Sequence, residues 1–286
     1  TPHFMTVSNL LNVAEQTSIN AIVAVGMTFV ILSGGIDLSV GSLVALSGVV
    51  LASGLQGGLP LPVALLAGVL TGALGGLVNG SLVTLGRLPP FIATLGMMSV
   101  ARGLALLYTD GRPVSGFTAD FRALATSRFL LIPVPVLVTL ALYVLAYLVL
   151  NRTRFGRYVY AIGGNEEATR LSGVAVRFHK TMVYVLSGVT SAFAAALLTA
   201  RLNSAQPIAG MMYELDAIAA TVIGGTSLLG GSGRIGGTLI GALIMGVLRN
   251  GLNLLGISSF LQQVVIGLVI VGAVLLDSLL KTGDRR

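Results

Sequence analysis

Residues 151–180 read NRTRFGRYVYAIGGNEEATRLSGVAVRFHK, the only long polar stretch in an otherwise membrane-like sequence, and they hold six of its 17 Lys and Arg residues. Within them Asn165 is placed to cap a helix N-terminus and Glu166 and Glu167 fall in the first turn. Glu166 and Arg170 are four apart, and Gly173 stands where a C′ glycine ends a helix. The spacing predicts a helix of roughly two turns. Flanked by basic residues and hung between apolar runs, such a helix suits docking on a soluble partner at the cytoplasmic face.

Around this stretch, hydrophobic residues make up 55% of the 286 and charged residues 9%. Mean hydropathy is +0.94, and an average soluble domain carries roughly 25% charged residues. A helix crossing a bilayer needs roughly 20 apolar residues. The charge-free runs 16–36, 38–86, 129–151, 181–200 and 250–276 supply them, while the shorter runs 217–233 and 235–248 are Gly-rich. Outer-membrane barrel strands alternate apolar and polar residues, whereas these runs are continuous. The expected fold is an all-α integral membrane protein, a polytopic helical bundle forming one domain over residues 1–286 with a cytoplasmic loop at 151–180.

Nine spans are expected, at 9–33, 38–55, 61–86, 91–109, 133–150, 181–201, 214–228, 235–255 and 259–280. Placing 151–180 inside also places Arg87, Arg234, Lys281, Arg285 and Arg286 inside, eleven basic residues in all. Only Arg112, Arg122 and Arg128 then lie clearly outside, while Arg102, Arg201 and Arg249 fall in or at the edge of spans. Orientation in the bilayer thus accounts for the net charge of +7, and no nucleic-acid partner is expected. Thr1 falls on the outer side with no signal-peptide pattern before it, so the reading expects an upstream helix, ten spans in the intact protein and both ends in the cytoplasm. The longest outer segment, 110–132, is either an ordered loop or a surface that receives a partner.

Glycine is the second signal. Gly68, Gly72, Gly76 and Gly80 are four apart and share one helix face, and Gly233, Gly237 and Gly241 repeat the spacing, which is expected to serve close helix packing. Two other clusters interrupt apolar runs, SGGIDLSVGS at 33–42 and IGGTSLLGGSGRIGG at 223–237. Glycine costs a helix about 1 kcal/mol per residue relative to Ala, so these predict broken or re-entrant helices. GGIDLSVGSLV and GGSGRIGGTLI also resemble each other, a weak internal repeat.

Among polar residues at membrane depth, Asp37 either caps the following helix or serves a gate, since an acid there costs about 2.5 to 3.5 kcal/mol unless it faces protein or water. Snorkelling or ion pairing is expected of Arg102 and Arg249. Toward the outer end, Gln206, Glu214, Asp216, Asn250 and Asn253 supply amides and carboxylates that suit a neutral polyhydroxylated ligand. With no Trp there is no evident stacking platform, as fits a weak pathway fed by a separate receptor. There is no Cys, and the only histidines are His3 and His179, so no metal site is expected and His179 is read as a solvated surface residue. No nucleophile–His–acid set or phosphate loop occurs, and the only lysines are Lys180 and Lys281. The chain is not expected to be an enzyme, and any ATP that drives it is bound by another subunit.

The segments QTSINAIVAVGMTFVILSGGIDLSVGSLVAL, GRLPPFIATLGMMSVARGLAL, RTRFGRYVYAIGGNEEATRLSGV and SAQPIAGMMYELDAIAATVIGGTSLLGGSGRIGGTLIGALIMGVLRNGLNLLGISS closely resemble the membrane permease of bacterial ribose-type ATP-binding cassette importers. The likeness covers essentially the whole chain. It implies a multi-pass inner-membrane protein of ten helices, a permease dimer and a periplasmic sugar-binding protein that delivers cargo. It further implies a cytoplasmic ATPase subunit, binding ATP and Mg, docked on the loop with Gly163, Gly164, Asn165, Glu166, Glu167 and Arg170. The cargo implied is a monosaccharide, ribose foremost, with another pentose, a hexose or a small polyol as alternatives. Arg249 departs from the family's pattern, where a neutral residue is usual. From the residues alone, a gradient-driven secondary transporter remains the rival reading.

Overall fold

The computed structural model describes the backbone of residues 4–283 and the side chains of residues 4–275. Thr1, His3, Arg285, Arg286 and the side chain of Lys281 lie outside the described residues. In chain order the elements are α1 (Val7–Leu32), α2 (Val40–Gln56), α3 (Leu61–Thr84), α4 (Pro90–Thr109), β1 (Val114–Ser115), α5 (Ala119–Thr126), β2 (Arg128–Phe129) and β3 (Ile132–Pro133). They continue with α6 (Val134–Arg152), α7 (Arg154–Gly164), α8 (Glu166–Leu171), α9 (Val176–Leu202), β4 (Ser204–Ala205), α10 (Tyr213–Ile223), α11 (Ile235–Leu254) and α12 (Ser259–Gly283). Among the described residues six helices, α1, α3, α4, α6, α9 and α11, are long and apolar enough to cross a bilayer, and α2 and the described part of α12 are shorter apolar helices.

Local chemistry sets many of the ends. Prolines in the first turn start α3, α4 and α6, where a missing N–H costs nothing. Asp110 and Asn203 end α4 and α9 in the left-handed conformation, which short polar side chains tolerate. The helix α1 is apolar nearly all round and lies at the centre, with Ile22, Val23, Ala24, Met27 and Val30 fully buried. It packs on α6, α9, α10 and α11, and α9 in turn packs on α2 and α3. The peripheral helices turn leucines outward, among them Leu66, Leu70 and Leu74 of α3 and Leu140 and Leu145 of α6. An apolar exterior of this extent fits a lipid surrounding.

The glycine face of α3 explains its intimacy with α9. A Cβ at Gly72, Gly76 or Gly80 would strike the backbone of Gly188, Tyr184 or Thr181, and one at Gly68 would press on Ser47 and Leu51 of α2. Gly237 and Gly241 of α11 likewise meet the backbone of Gly224 and Ala220, whereas Gly233 packs on the side chain of Thr226. Small residues here let helix backbones approach directly.

The stretch read as a span at 214–228 needs correction, because α10 ends at Ile223. Gly224 is pressed against Gly237 and Gly225 takes a positive φ of 84°, so the chain leaves the helix there. Residues 203–212 before α10 are also non-helical, apart from β4, which pairs antiparallel with β1. The two glycine clusters form the joints between α1 and α2 and between α10 and α11. These joints touch, with the Gly231 amide donating to the Leu32 carbonyl at 2.9 Å.

The segment 110–132 is packed around α5, although Phe129, Leu130 and Leu131 at its end are exposed. Phe121 of α5 is fully buried and meets Phe117 edge-on at 5.2 Å, and the Phe117 amide donates to Asn203 Oδ1 at 3.1 Å. It covers the ends of α2 and α9, where Gln56 Nε2 also donates to the Ser115 carbonyl.

Candidate coupling surface and polar cavity

At the polar end, Thr153 caps α7, accepting from the Gly156 amide, and Asn165 caps α8, accepting from the Ala168 amide at 2.9 Å. Gly173 follows α8 at φ 82°. The ion pairing differs from the spacing argument. Arg170 donates through Nε to Glu167 at 2.9 Å, three residues away, and Glu166 instead accepts from Lys180 of α9 at 2.8 Å. Local spacing allows both arrangements, and the distant Lys180 decides between them. The hydrogen bond from Arg170 holds the Glu167 carboxyl below its usual range. The stabilisation is therefore present at neutral pH and lost as pH falls through that lowered value, but the pair is exposed and worth little. His179 is not simply solvated, for its half-buried ring meets Tyr158 and Phe178 edge-on and lies tilted to Phe155.

Thr169 turns α8 toward the bundle, while Glu167, Ala168 and Leu171 face out. Leu171 is 72% exposed, an apolar knob on a charged surface. Sequence reasoning missed it, although a lone leucine just before Ser172–Gly173 on so polar a helix was a usable signal. Gly163 and Gly164 play unequal parts. A Cβ on Gly163 would strike the Leu32 carbonyl and the Gly231 amide, the two groups that join the glycine clusters, whereas Gly164 has open space. Tyr160 adds a hydrogen bond from its hydroxyl to the Gly233 carbonyl at 2.9 Å. Thus α7 abuts both helix joints. Gly163→Ala is expected to cost about 1 to 3 kcal/mol and Gly164→Ala almost nothing, read as thermal unfolding in detergent.

Asp37 is fully buried between α1 and α2. Its Oδ1 accepts from the Ser39 amide at 3.0 Å and the Ser39 hydroxyl at 2.6 Å, and its Oδ2 accepts from Ser187 of α9 at 2.8 Å. Asn79 of α3 donates to Ser39 Oγ. The carboxylate therefore turns the chain into α2 and pins it to two helices.

A cavity of 390 Å3 lies between α1, α9, α10 and α11, lined by Gln16, Asn20, Arg201, Tyr213, Asp216 and Arg249 among others. Arg249 donates to both Asp216 oxygens, at 2.5 and 2.6 Å, and Asn20 Nδ2 donates to Asp216 Oδ2 at 3.2 Å. Thr17 Oγ1 and Arg249 Nε, on the same wall, have no hydrogen-bond partner among the described residues. Of the six pathway candidates only Asp216 lines this cavity. Asn250 exchanges amide hydrogen bonds with Asn9, both at 3.0 Å, and Asn253 accepts from Gln262, so these amides staple α11 to α1 and α12. Gln206 belongs to the non-helical segment before α10, and Glu214 lies against Gly41. Gln16 and Asn20 were overlooked, yet two amides four apart on an apolar helix share one face.

Arg102 serves the irregular segment. Its Nη1 donates to the Pro207 and Ala209 carbonyls, each at 2.7 Å, and satisfies backbone that no helix satisfies. Arg102→Met is expected to cost about 1 to 3 kcal/mol for each orphaned carbonyl, measured as a fall in detergent melting temperature.

An apolar helical bundle with a polar cavity among its helices and an exposed, capped helix at its polar face has the form of a transport permease. Residues 9–274 match the family described as branched-chain amino acid transport system / permease component, and the chain belongs to it. It is 54% identical to the ribose import permease protein RbsC of Bacillus subtilis (strain 168) over 278 residues, covering 96% of this chain and 86% of that one. It is 53% identical to RbsC of Escherichia coli (strain K12), covering 97% and 88%, and 42% identical to the L-arabinose transport system permease protein AraH of the same strain, covering 96% and 84%. No solved structure matches it.

Proposed function

We infer that this chain is the membrane permease subunit of an ATP-driven importer that carries ribose across a bacterial inner membrane. Identity of 52 to 54% to ribose import permeases over nearly the whole chain carries the reading, against 42% to the allose and arabinose permeases. The chain supplies no chemistry of its own. A cytoplasmic ATPase subunit binds ATP and Mg and engages α8, a periplasmic sugar-binding protein delivers cargo, and a second permease copy completes the pathway.

In the bilayer α2, α10 and α12 bring the spans to nine. With eleven residues α10 rises only about 16 Å, so it is a half-span, and 203–212 fills the other half as irregular backbone. The cavity beside Asp216 is the outer part of the path, where the Gln16 amide and the Asn20 amide oxygen meet sugar hydroxyls. Displacement of α8 passes through α7 and Gly163 to the two glycine joints, and glycine-packed helices tilt as rigid rods.

The test is ribose uptake by vesicles holding the permease, its ATPase and the binding protein. Uptake is expected to require ATP and to survive collapse of ion gradients. Uptake that follows an ion gradient without ATP identifies a secondary transporter instead, and a complex that moves no sugar identifies a scaffold or sensor.

A further inference from the structure

We propose that the groove between the end of α3, α8 and the first turn of α9 binds a phosphoryl group, supplied by the headgroup of an anionic phospholipid. The groove encloses 300 Å3 and is lined by Arg87, Arg170, Arg177 and Lys180, with Glu166 as the one carboxylate on its wall among the described residues. Two of these cations are already matched, Lys180 by Glu166 and Arg170 by Glu167. Arg87 and Arg177 form no ion pair among the described residues. Two free guanidiniums in one groove suit bidentate capture of a phosphate, a task at which arginine surpasses lysine.

Backbone and helix chemistry point the same way. Arg87 holds φ at 55°, in the left-handed region that strains a side-chain-bearing residue, although Gly86 beside it would adopt that conformation freely. The first turn of α9 carries Arg177, with Lys180 just beyond it, and no carboxylate, and its N-cap Ala175 offers no side-chain hydrogen bond. Cations at the positive end of a helix are repelled by it, and a bound anion reverses that balance.

The groove also meets lipid. The Thr84 and Thr181 hydroxyls join at 3.0 Å and Gly80 packs on Thr181, which closes the space between α3 and α9 on the bilayer side. Next to it α3 exposes Leu77 and Leu82, and Leu85 just after its end is exposed too. Acyl chains lie along that face while the headgroup turns into the groove, a continuity that favours a phospholipid over free phosphate. A lipid held there bridges α3, α8 and α9 and sets the angle of α8. The proposal uses the cytoplasmic placement of 151–180 and does not depend on the transported substrate.

Phosphatidylglycerol is the probe. The full chain in mixed micelles with phosphatidylglycerol or phosphatidylcholine is analysed by native mass spectrometry, which counts retained lipid. Retention of phosphatidylglycerol alone is expected, with affinity falling about 30-fold in the Arg87→Gln/Arg177→Gln variant, at roughly fivefold per arginine. The Arg87→Lys/Arg177→Lys variant keeps the charge but loses the bidentate fork, and its affinity is expected to fall between those of the native chain and the glutamine variant, which separates lost binding from lost folding. Equal retention of phosphatidylcholine, or undiminished phosphatidylglycerol binding in the glutamine variant, overturns the proposal. So does inorganic phosphate that displaces the lipid at equal concentration, which makes the ligand a free anion. A cross-link from Arg177→Cys to the ATPase subunit, unaffected by phosphatidylglycerol, makes the groove a protein contact.

Discussion

Arg249→Gln is expected to destabilise the bundle by about 3 kcal/mol, and adding Asp216→Asn to recover most of that loss. Breaking a buried ion pair from one side costs about 3 to 5 kcal/mol, because the remaining charge stays buried without its partner. The lower end applies because the Arg249 side chain keeps 35% exposure to the cavity while Asp216 keeps 3%. In the single variant Asp216 retains only the Asn20 amide. Thermal unfolding of the two variants in one detergent checks the cycle, and equal melting temperatures for the native chain and Arg249→Gln would contradict it. The pair also explains how an arginine is tolerated inside this apolar bundle. It neutralises Asp216 across α10 and α11.

Leu171→Asp is expected to reduce ATP-dependent ribose uptake at least about 30-fold while leaving folding unchanged. A central apolar anchor at an interface contributes about 2 kcal/mol or more, and a carboxylate there adds the cost of its desolvation. The side chain makes little contact with its own chain, so its loss has no route to the core. Uptake in reconstituted vesicles, beside a melting curve of the same preparation, separates the two effects. Glu167→Gln removes an exposed pair and is expected to change stability hardly at all.

Much of the bundle was legible because its apolar runs are long, continuous and bounded by charge, and because proline, asparagine and glycine mark helix ends by local chemistry. The exact end of α10 was less so. The glycine cluster at 223–237 signals a break, yet residues 224–228, GGTSL, carry no charge to bound the span, and the helix stops where Gly224 lies against Gly237, a contact from another helix. The same limit governs the polar residues. Asn250 and Asn253 look available in sequence, yet Asn9 and Gln262 take up their amides across the bundle. Asp37 could be read as a cap or a gate, and its partners lie far along the chain: Ser187 donates to it directly, and Asn79 donates to the Ser39 hydroxyl that bonds it. The amide pair Gln16 and Asn20, by contrast, was readable from helical spacing alone.

The central claim is that a partner ATPase engages the exposed face of α8 from the cytoplasm. The chain has no cysteine, so Leu171→Cys places a single thiol on that face. Labelling with a membrane-impermeant maleimide is expected to fail on intact cells, to succeed on inside-out vesicles, and to be blocked there when the ATPase subunit is bound. Labelling from outside intact cells, or undiminished labelling in the assembled complex, would contradict the account.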